Sequence, residues 1–201
     1  EQVERTPERV ALIFGDKKVS YRKLNDMANQ LAHKLREHGV SPNDRIAIVS
    51  ERSIEMIVGI YGILKAGGGY VPVDPIYPKD RIEYILKDCS AKAIITTEDS
   101  LEDWDNLSVL CLSDPALKEQ SSENPVRITT PDSLLYIIYT SGTTGRPKGV
   151  MVGQRGLLNL REYFIHTLYI TSKDHILNFA NYVFDGSVWE MNMALLTGAT
   201  L

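Results

Sequence analysis

Positions 140–149 read TSGTTGRPKG, and the apolar run LLYIIYT at 134–140 leads into them. The ten residues hold three glycines, three threonines, one serine and a lysine. Glycine lets backbone N–H groups approach an anion without obstruction by a Cβ, while the hydroxyls and Lys148 add neutral and charged donors. This is the chemistry of a phosphate cradle. It is not the Walker A pattern, which needs Gly-Lys followed by Ser or Thr, whereas here Pro147 precedes the lysine and Gly149 follows it. Pro147 also argues against a helix starting as it does in P-loop NTPases. A surface hairpin loop enriched in Gly and Thr is the plain alternative, and ten ordered positions weigh against it.

The second stretch with chemical content is FANYVFDGSVWEMNM at 179–193. Ser187 and Glu190 have the S-x-x-E spacing of a capping box, which predicts a helix over about 188–197 with Val188, Met191, Leu195 and Trp189 as candidates for its apolar face. Asp185 then stands two residues before the cap, free to face a cleft. A partly buried carboxylate is costly unless a cation satisfies it. The alternative for Asp185 is a surface residue at a helix start, favoured by the dipole. For Trp189, a core aromatic competes with a pocket wall.

Other reactive side chains read as structural. His33, His38, His166 and His175 have no His, Cys or paired carboxylate at ligand spacing. Met27, Met56, Met191 and Met193 fall on helical patterns as core filler. Cys89 and Cys111 lack metal-ligand spacing and read as buried thiols in a reducing compartment.

The elements that must position these residues alternate strand and helix, predicting an α/β fold with mostly parallel pairing. A hairpin turning at Gly15-Asp16 precedes a helix over 22–38, with Ser20 near its start and Gly39 past its end. A strand at 45–50, a helix at 53–66 closed by Gly67, and a short strand entering a loop at 67–75 follow. A helix at 79–88 and a strand at 91–97 come next. Residues 98–133 are acidic and rich in Ser, Asp, Glu and Pro, broken only by apolar turns around SVLCL at 108–112, and form the best internal boundary candidate. Strands at 134–140 and 149–152, a helix over about 155–169 and a strand at 175–180 lead to the final helix.

With 201 residues, 43% apolar and 24% charged, the chain has ordinary globular composition. Its net charge of −4, with basic residues scattered, argues against nucleic acid. The apolar stretch at 57–64 is far short of the roughly 18 residues of a membrane span. The amino terminus does not resemble a signal peptide, and a cytoplasmic location is expected. The chain stops at Thr200-Leu201 as another strand would begin, which reads as a fragment.

YTSGTTGRPKG resembles the signature of the adenylate-forming superfamily. VSYRKLNDMANQLA at 19–32 and LKAGGGYVPVDPIYPKDRI at 64–82 are similar to motifs of its peptide-synthetase branch, and the resemblance covers essentially the whole chain. Physically these two motifs are scaffold, a helix stripe and a Pro-braced turn in which Asp74 and Asp80 can cap backbone N–H groups. The resemblance implies the amino-terminal part of an amino-acid adenylation domain of a nonribosomal peptide synthetase, within the large amino-terminal subdomain. It also implies ATP phosphate binding by Thr140, Ser141, Gly142, Thr143, Thr144, Gly145 and Lys148. By the same likeness Asp185, in an FDxS motif, pairs with a substrate α-ammonium, and Phe184, Gly186 and Trp189 join it at the substrate site.

The implied reaction is attack of an amino-acid carboxylate on the α-phosphorus of ATP, giving aminoacyl-AMP and pyrophosphate, then transfer to a carrier-protein thiol. ATP and Mg²⁺ are the implied cofactors, with phosphopantetheine on a separate carrier domain and a condensation domain as a neighbour. The family's magnesium glutamate, ribose aspartate and carboxy-terminal lysine have no counterparts here, nor has a carrier-domain serine, so no catalytic residue is assigned and the chain alone is expected to be nearly inactive. Two departures stand out. Gly153-Gln154 occupies the place of a Glu-His pair, removing a titratable group, and Asn181 stands where serine is frequent. An acyl- or aryl-acid ligase, which Asp185 disfavours, and a non-catalytic nucleotide-binding module are the other functional classes.

Overall fold

The computed structural model describes residues 2–97, 104, 107–141 and 146–201. After a short helix α1 (Gln2–Arg5), strands β1 (Val10–Phe14) and β2 (Lys17–Ser20) pair antiparallel through the predicted Gly15 turn. Helix α2 (Tyr21–Glu37) starts where Ser20 Oγ accepts the Lys23 N–H at 3.2 Å. Leu24, Ala28, Leu31, Ala32 and Leu35 form its buried stripe.

β3 (Arg45–Val49) leads into α3 (Ile54–Ala66), capped by Ser53 Oγ on the Met56 N–H at 3.0 Å. Gly67 ends α3 at φ +109°, a left-handed conformation that only glycine adopts at little cost. β4 (Gly69–Val73), α4 (Lys79–Asp88) and β5 (Ala93–Thr96) follow. Gly69 is required by close approach, since a Cβ there would lie 2.4 Å from Leu134 Cγ.

β6 (Ser108–Cys111), a 3-10 turn at Pro115–Glu119, β7 (Leu134–Thr140), β8 (Lys148–Gly153), α5 (Arg155–His166) and α6 (Asp185–Leu195) complete the order. The main sheet runs β6-β5-β3-β4-β7-β8, parallel except for the antiparallel β7–β8 pair. Helices on both faces bury it. Ile46 and Ile48 of β3 pack with α2 and α3, whereas Ala47 and Val49 pack with Ile82, Ile85 and Leu86 of α4. A register shift between Leu134 and Tyr136 lets Leu135 and Tyr136 both pack with the α2/α3 cluster.

The structure corrects four local expectations. The SVLCL turns are strand β6, in register with β5 from Ala93↔Ser108 to Thr96↔Cys111. The chain after β6 runs back along α2, where Asn29 Nδ2 donates to the Ser122 carbonyl at 2.6 Å and Arg36 Nη2 to that of Val126 at 2.8 Å. Cys111 is only half-buried, because this edge strand lacks cover, whereas Cys89 is buried as expected. α5 ends at His166 rather than 169, closed by a turn in which Tyr169 takes φ +56° and Ile170 N–H returns to the Phe164 carbonyl.

No strand forms over 175–180. His175 makes a lone parallel bridge to Thr200, and the Ala180 N–H goes to a side chain instead of a ladder. Leu201 does pair in extended fashion, donating to Ala11 and accepting from Ile13.

Candidate active site

The parallel strands β3, β4 and β7 end at Val49, Val73 and Thr140, so Ser50, Asp74 and Ser141 lie along one edge of the sheet. From β3 the chain reaches β4 through α3 on one face, then returns past β3 to β5 through α4 on the other. Such a reversal leaves a crevice at the carboxyl ends of the strands, where open α/β sheets bind ligands.

Residues 178–184 lie across that crevice, fastened at three points. The Tyr182 hydroxyl accepts the Ser50 N–H at 3.1 Å and donates to the Val73 carbonyl, joining the ends of β3 and β4. Burial pushes this phenol well above the usual range, so it remains a donor. Asn181 Nδ2 donates to Asp74 Oδ2 at 2.9 Å, while Asp74 Oδ1 accepts the Ile76 N–H at 3.1 Å. Arg52 Nη2 donates to the carbonyls of Phe179 at 3.0 Å and Ala180 at 2.9 Å.

α6 begins earlier than the S-x-x-E spacing predicts. Phe184 is the cap residue, with extended backbone and no capping side chain, and Asp185 is the first helical residue. Ser187 lies buried in the first turn, and its Oγ accepts from Asn178 Nδ2 at 3.2 Å. Glu190 is engaged by Asn178 and Ala180, so neither residue is available as a cap.

Asp185 is exposed at this helix start, where the dipole favours a carboxylate. Its charge reaches Tyr136 on β7, whose phenol is raised first by burial and then by Asp185. Trp189, four residues on, shares that side of the helix. Its ring meets Phe164 edge-on at 5.0 Å and Tyr163 at 5.7 Å while remaining 36% exposed. Phe184 is 58% exposed, and a Cβ on Gly186 would stand 3.4 Å from the Ala180 Cβ.

At the far end of β7, Thr140 and Ser141 are exposed, and Thr140 pairs across the ladder with exposed Lys148. The hydroxyl and ammonium donors therefore flank the two ends of one loop, an arrangement that fits an anion. Gly142, Thr143, Thr144 and Gly145 lie outside the described residues. Both stems are tied to α4. Tyr139 Oη donates to Asp88 at 2.6 Å, and Tyr84 Oη to the Pro147 carbonyl at 3.1 Å. Gln154 Nε2, at the variant Glu-His position, donates to the Leu134 carbonyl at 3.3 Å.

Among the described residues, no group of three His, Cys, Asp or Glu side chains could hold a metal ion, and no helix is long and apolar enough to cross a membrane.

The sequence profile of the family described as AMP-binding enzyme matches residues 1–201. The chain belongs to that family. Tyrocidine synthase 2 of Brevibacillus parabrevis is 46% identical over 202 residues, covering 100% of the chain and 6% of that protein. The AMPPNP-bound crystal structure of the nonribosomal peptide synthetase FmoA3 superposes with TM-score 0.90 at 33% identity, covering 99% of the chain and 21% of FmoA3. The amino-terminal subdomain of Klebsiella oxytoca NpsA, in complex with 3-hydroxyanthranilyl-AMSN, gives TM-score 0.86 at 32% identity, over 100% of the chain and 50% of NpsA. The chain thus spans half or less of each AMP-binding relative. Its α/β architecture is that of the NpsA subdomain.

Arg52 and Tyr182 fasten the crevice segment although no motif marks them, and Glu190, read from the sequence as a capping-box partner, binds the Ala180 N–H instead. Asn181 was visible only as a departure from serine, and its partner Asp74 is 107 positions away.

Proposed function

We infer that residues 1–201 are the amino-terminal part of an adenylation domain that activates an amino acid as aminoacyl-AMP at the expense of ATP, for thioester loading onto a carrier domain. The observation that carries this reading is that Asp185, exposed at the start of α6, follows the segment that Asn181 and Tyr182 fasten to the ends of β3 and β4, the sheet edge at which β7 ends in Thr140. One edge of the sheet thereby brings together a carboxylate suited to an α-ammonium and the stem of a phosphate-binding loop.

In this reading Thr140, Ser141 and Lys148, with Gly142, Thr143, Thr144 and Gly145, hold the phosphates. A substrate carboxylate oxygen attacks the α-phosphorus, and the bond to pyrophosphate breaks. Asp185 anchors the ammonium, and Phe184, Gly186 and Trp189 shape the substrate side. A half-exposed tryptophan one turn from a missing Cβ on the same helix favours a neutral, apolar or aromatic side chain. The AMPPNP-bound relative supports use of ATP. Mg²⁺ belongs to the same proposal, and among the described residues no group of three His, Cys, Asp or Glu side chains could hold it. Carrier and condensation domains as neighbours, a cytoplasmic setting and near-inactivity of the chain alone belong to the same proposal.

The aryl ligand of the NpsA relative supports a second reading, an aryl- or acyl-acid ligase. In that reading Asp185, exposed at the start of α6, would serve only the helix dipole. Exchange of pyrophosphate into ATP by the protein that carries this chain, with a panel of amino, aryl and fatty acids, decides between them. Amino-acid-dependent exchange is expected. Exchange with aryl or fatty acids only, or with none, overturns the assignment.

A further inference from the structure

The peptide group joining Phe179 to Ala180 is gripped from both ends by opposite charges. Its carbonyl accepts from Arg52 Nη2 at 3.0 Å, and its N–H donates to Glu190 Oε2 at 3.0 Å and Oε1 at 3.3 Å. The second hydrogen of the same Arg52 nitrogen reaches the Ala180 carbonyl at 2.9 Å. Glu190 Oε2 also accepts from Asn178 Nδ2 at 3.0 Å.

The carbonyl and N–H of a trans peptide point in opposite directions within its plane, so the guanidinium and carboxylate sit at opposite edges of the group with the peptide dipole aligned between them. Each charge polarises the group that the other binds, and charge-assisted hydrogen bonds of this kind are about twice as strong as neutral ones. The clamp ties three pieces of chain together: the turn after β3 through Arg52, the crevice segment through residues 178–180, and α6 through Glu190.

It also sets a distance. The Ala180 Cβ stands 3.4 Å from where a Cβ on Gly186 would be. Gly186 follows Asp185 in the first turn of α6, and Glu190 follows Trp189. Movement of Ala180 would therefore alter the space beside Asp185 and Trp189, whereas Thr140 and Lys148 are held by the β7–β8 ladder.

We propose that Arg52 and Glu190 act through the 179–180 peptide as a pair of positioning residues that hold the substrate side of the site, Asp185 with Trp189, in register. The proposal rests on the functional reading above. It requires that the two residues be coupled energetically without a direct contact, and that they govern the amino acid and not ATP.

The test is steady-state pyrophosphate exchange by the protein that carries this chain, comparing Arg52→Ala, Glu190→Ala, the double variant, Arg52→Lys and Glu190→Gln. Each alanine variant is expected to raise KM for the amino acid by about tenfold, and the double variant by about tenfold again in total rather than a hundredfold, with KM for ATP within about twofold. Glu190→Gln keeps an oxygen for the Ala180 N–H and is expected to stay within about threefold. Multiplicative effects, a parallel rise in KM for ATP, or no change would overturn the proposal.

Amide hydrogen exchange on the chain itself supplies a second readout. Glu190→Ala and Arg52→Ala should both speed exchange at Ala180 and leave Ser50, held by Tyr182, unchanged; unaltered exchange at Ala180 overturns the clamp. A wild-type protein that shows no amino-acid-dependent exchange instead sinks the functional reading, and the Ala180 amide still reports on the clamp.

Discussion

Asn181 Nδ2 donates to the Asp74 carboxylate at 2.9 Å, so the turn after β4 holds the segment that leads into Asp185. The VPVDP stretch is thereby more than a family label, because its aspartate caps the Ile76 N–H and braces the segment that leads into α6. Asp74→Ala removes the acceptor for both donors and is expected to cost about 1–3 kcal/mol, whereas Asn181→Ser should cost about 1 kcal/mol or less. Urea titration of the two variants checks the order. Equal midpoints would mean that this hydrogen bond contributes nothing.

Tyr182→Phe removes a hydroxyl that serves the Ser50 N–H and the Val73 carbonyl in a dry environment. Two buried backbone groups lose a partner, and the expected loss is about 1–3 kcal/mol with an unchanged denaturant slope. A midpoint equal to wild type would show that water replaces the hydroxyl.

Burial raises the Cys89 thiol from 9.0 to about 11. The folded state then holds a proton that the unfolded chain releases, so this stabilisation is complete below pH about 9 and is lost as pH rises through about 11, amounting to about 2–3 kcal/mol. Cys89→Ala should flatten that part of the stability profile, measured by denaturant titration at pH 8, 9.5 and 10.5. At pH 8 a maleimide should modify half-buried Cys111 first and reach Cys89 only on unfolding.

The glycines of LKAGGGYVPVDP make separable demands. Gly67→Ala places a Cβ at φ +109° and should cost about 1–2 kcal/mol. Gly69→Ala drives a methyl into Leu134 between β4 and β7, and should cost about 1–3 kcal/mol. Combining Gly69→Ala with Leu134→Ala should recover part of the loss in thermal melts, whereas Gly67→Ala with Leu134→Ala should show no such recovery.

Asp185→Asn keeps the shape of the side chain and removes its charge. If the carboxylate holds a substrate ammonium, exchange falls by at least about thirtyfold, while binding of an ATP analogue is retained. Because Asp185 is exposed and caps nothing, the melting temperature should barely move. A large drop in melting with normal exchange would return it to the helix-start role.

Sequence periodicity located α2, α3 and α4 within a residue or two, since each has a buried stripe and a local stop such as Gly39 or Gly67. It failed where non-local partners decide the structure. SVLCL became a strand because β5 offers an edge to pair with, whereas residues 175–180 make only the His175–Thr200 bridge and the Ala180 N–H goes to Glu190. The S-x-x-E spacing misplaced the start of α6 for the same reason, as Asn178 and Ala180 occupy the two residues expected to cap it.

The sequence by itself determined the alternation of strands and helices, the phosphate-type chemistry of residues 140–149 and the resemblance to adenylate-forming enzymes. All three rest on local composition and spacing. Only the tertiary structure decided that α6 begins at Asp185, that Tyr182 joins the ends of β3 and β4, and that Arg52 and Glu190 grip one peptide. Hydrogen bonds between residues 107 or more positions apart leave no periodic trace along a chain, because their geometry exists only once the sheet has brought the ends of its strands together.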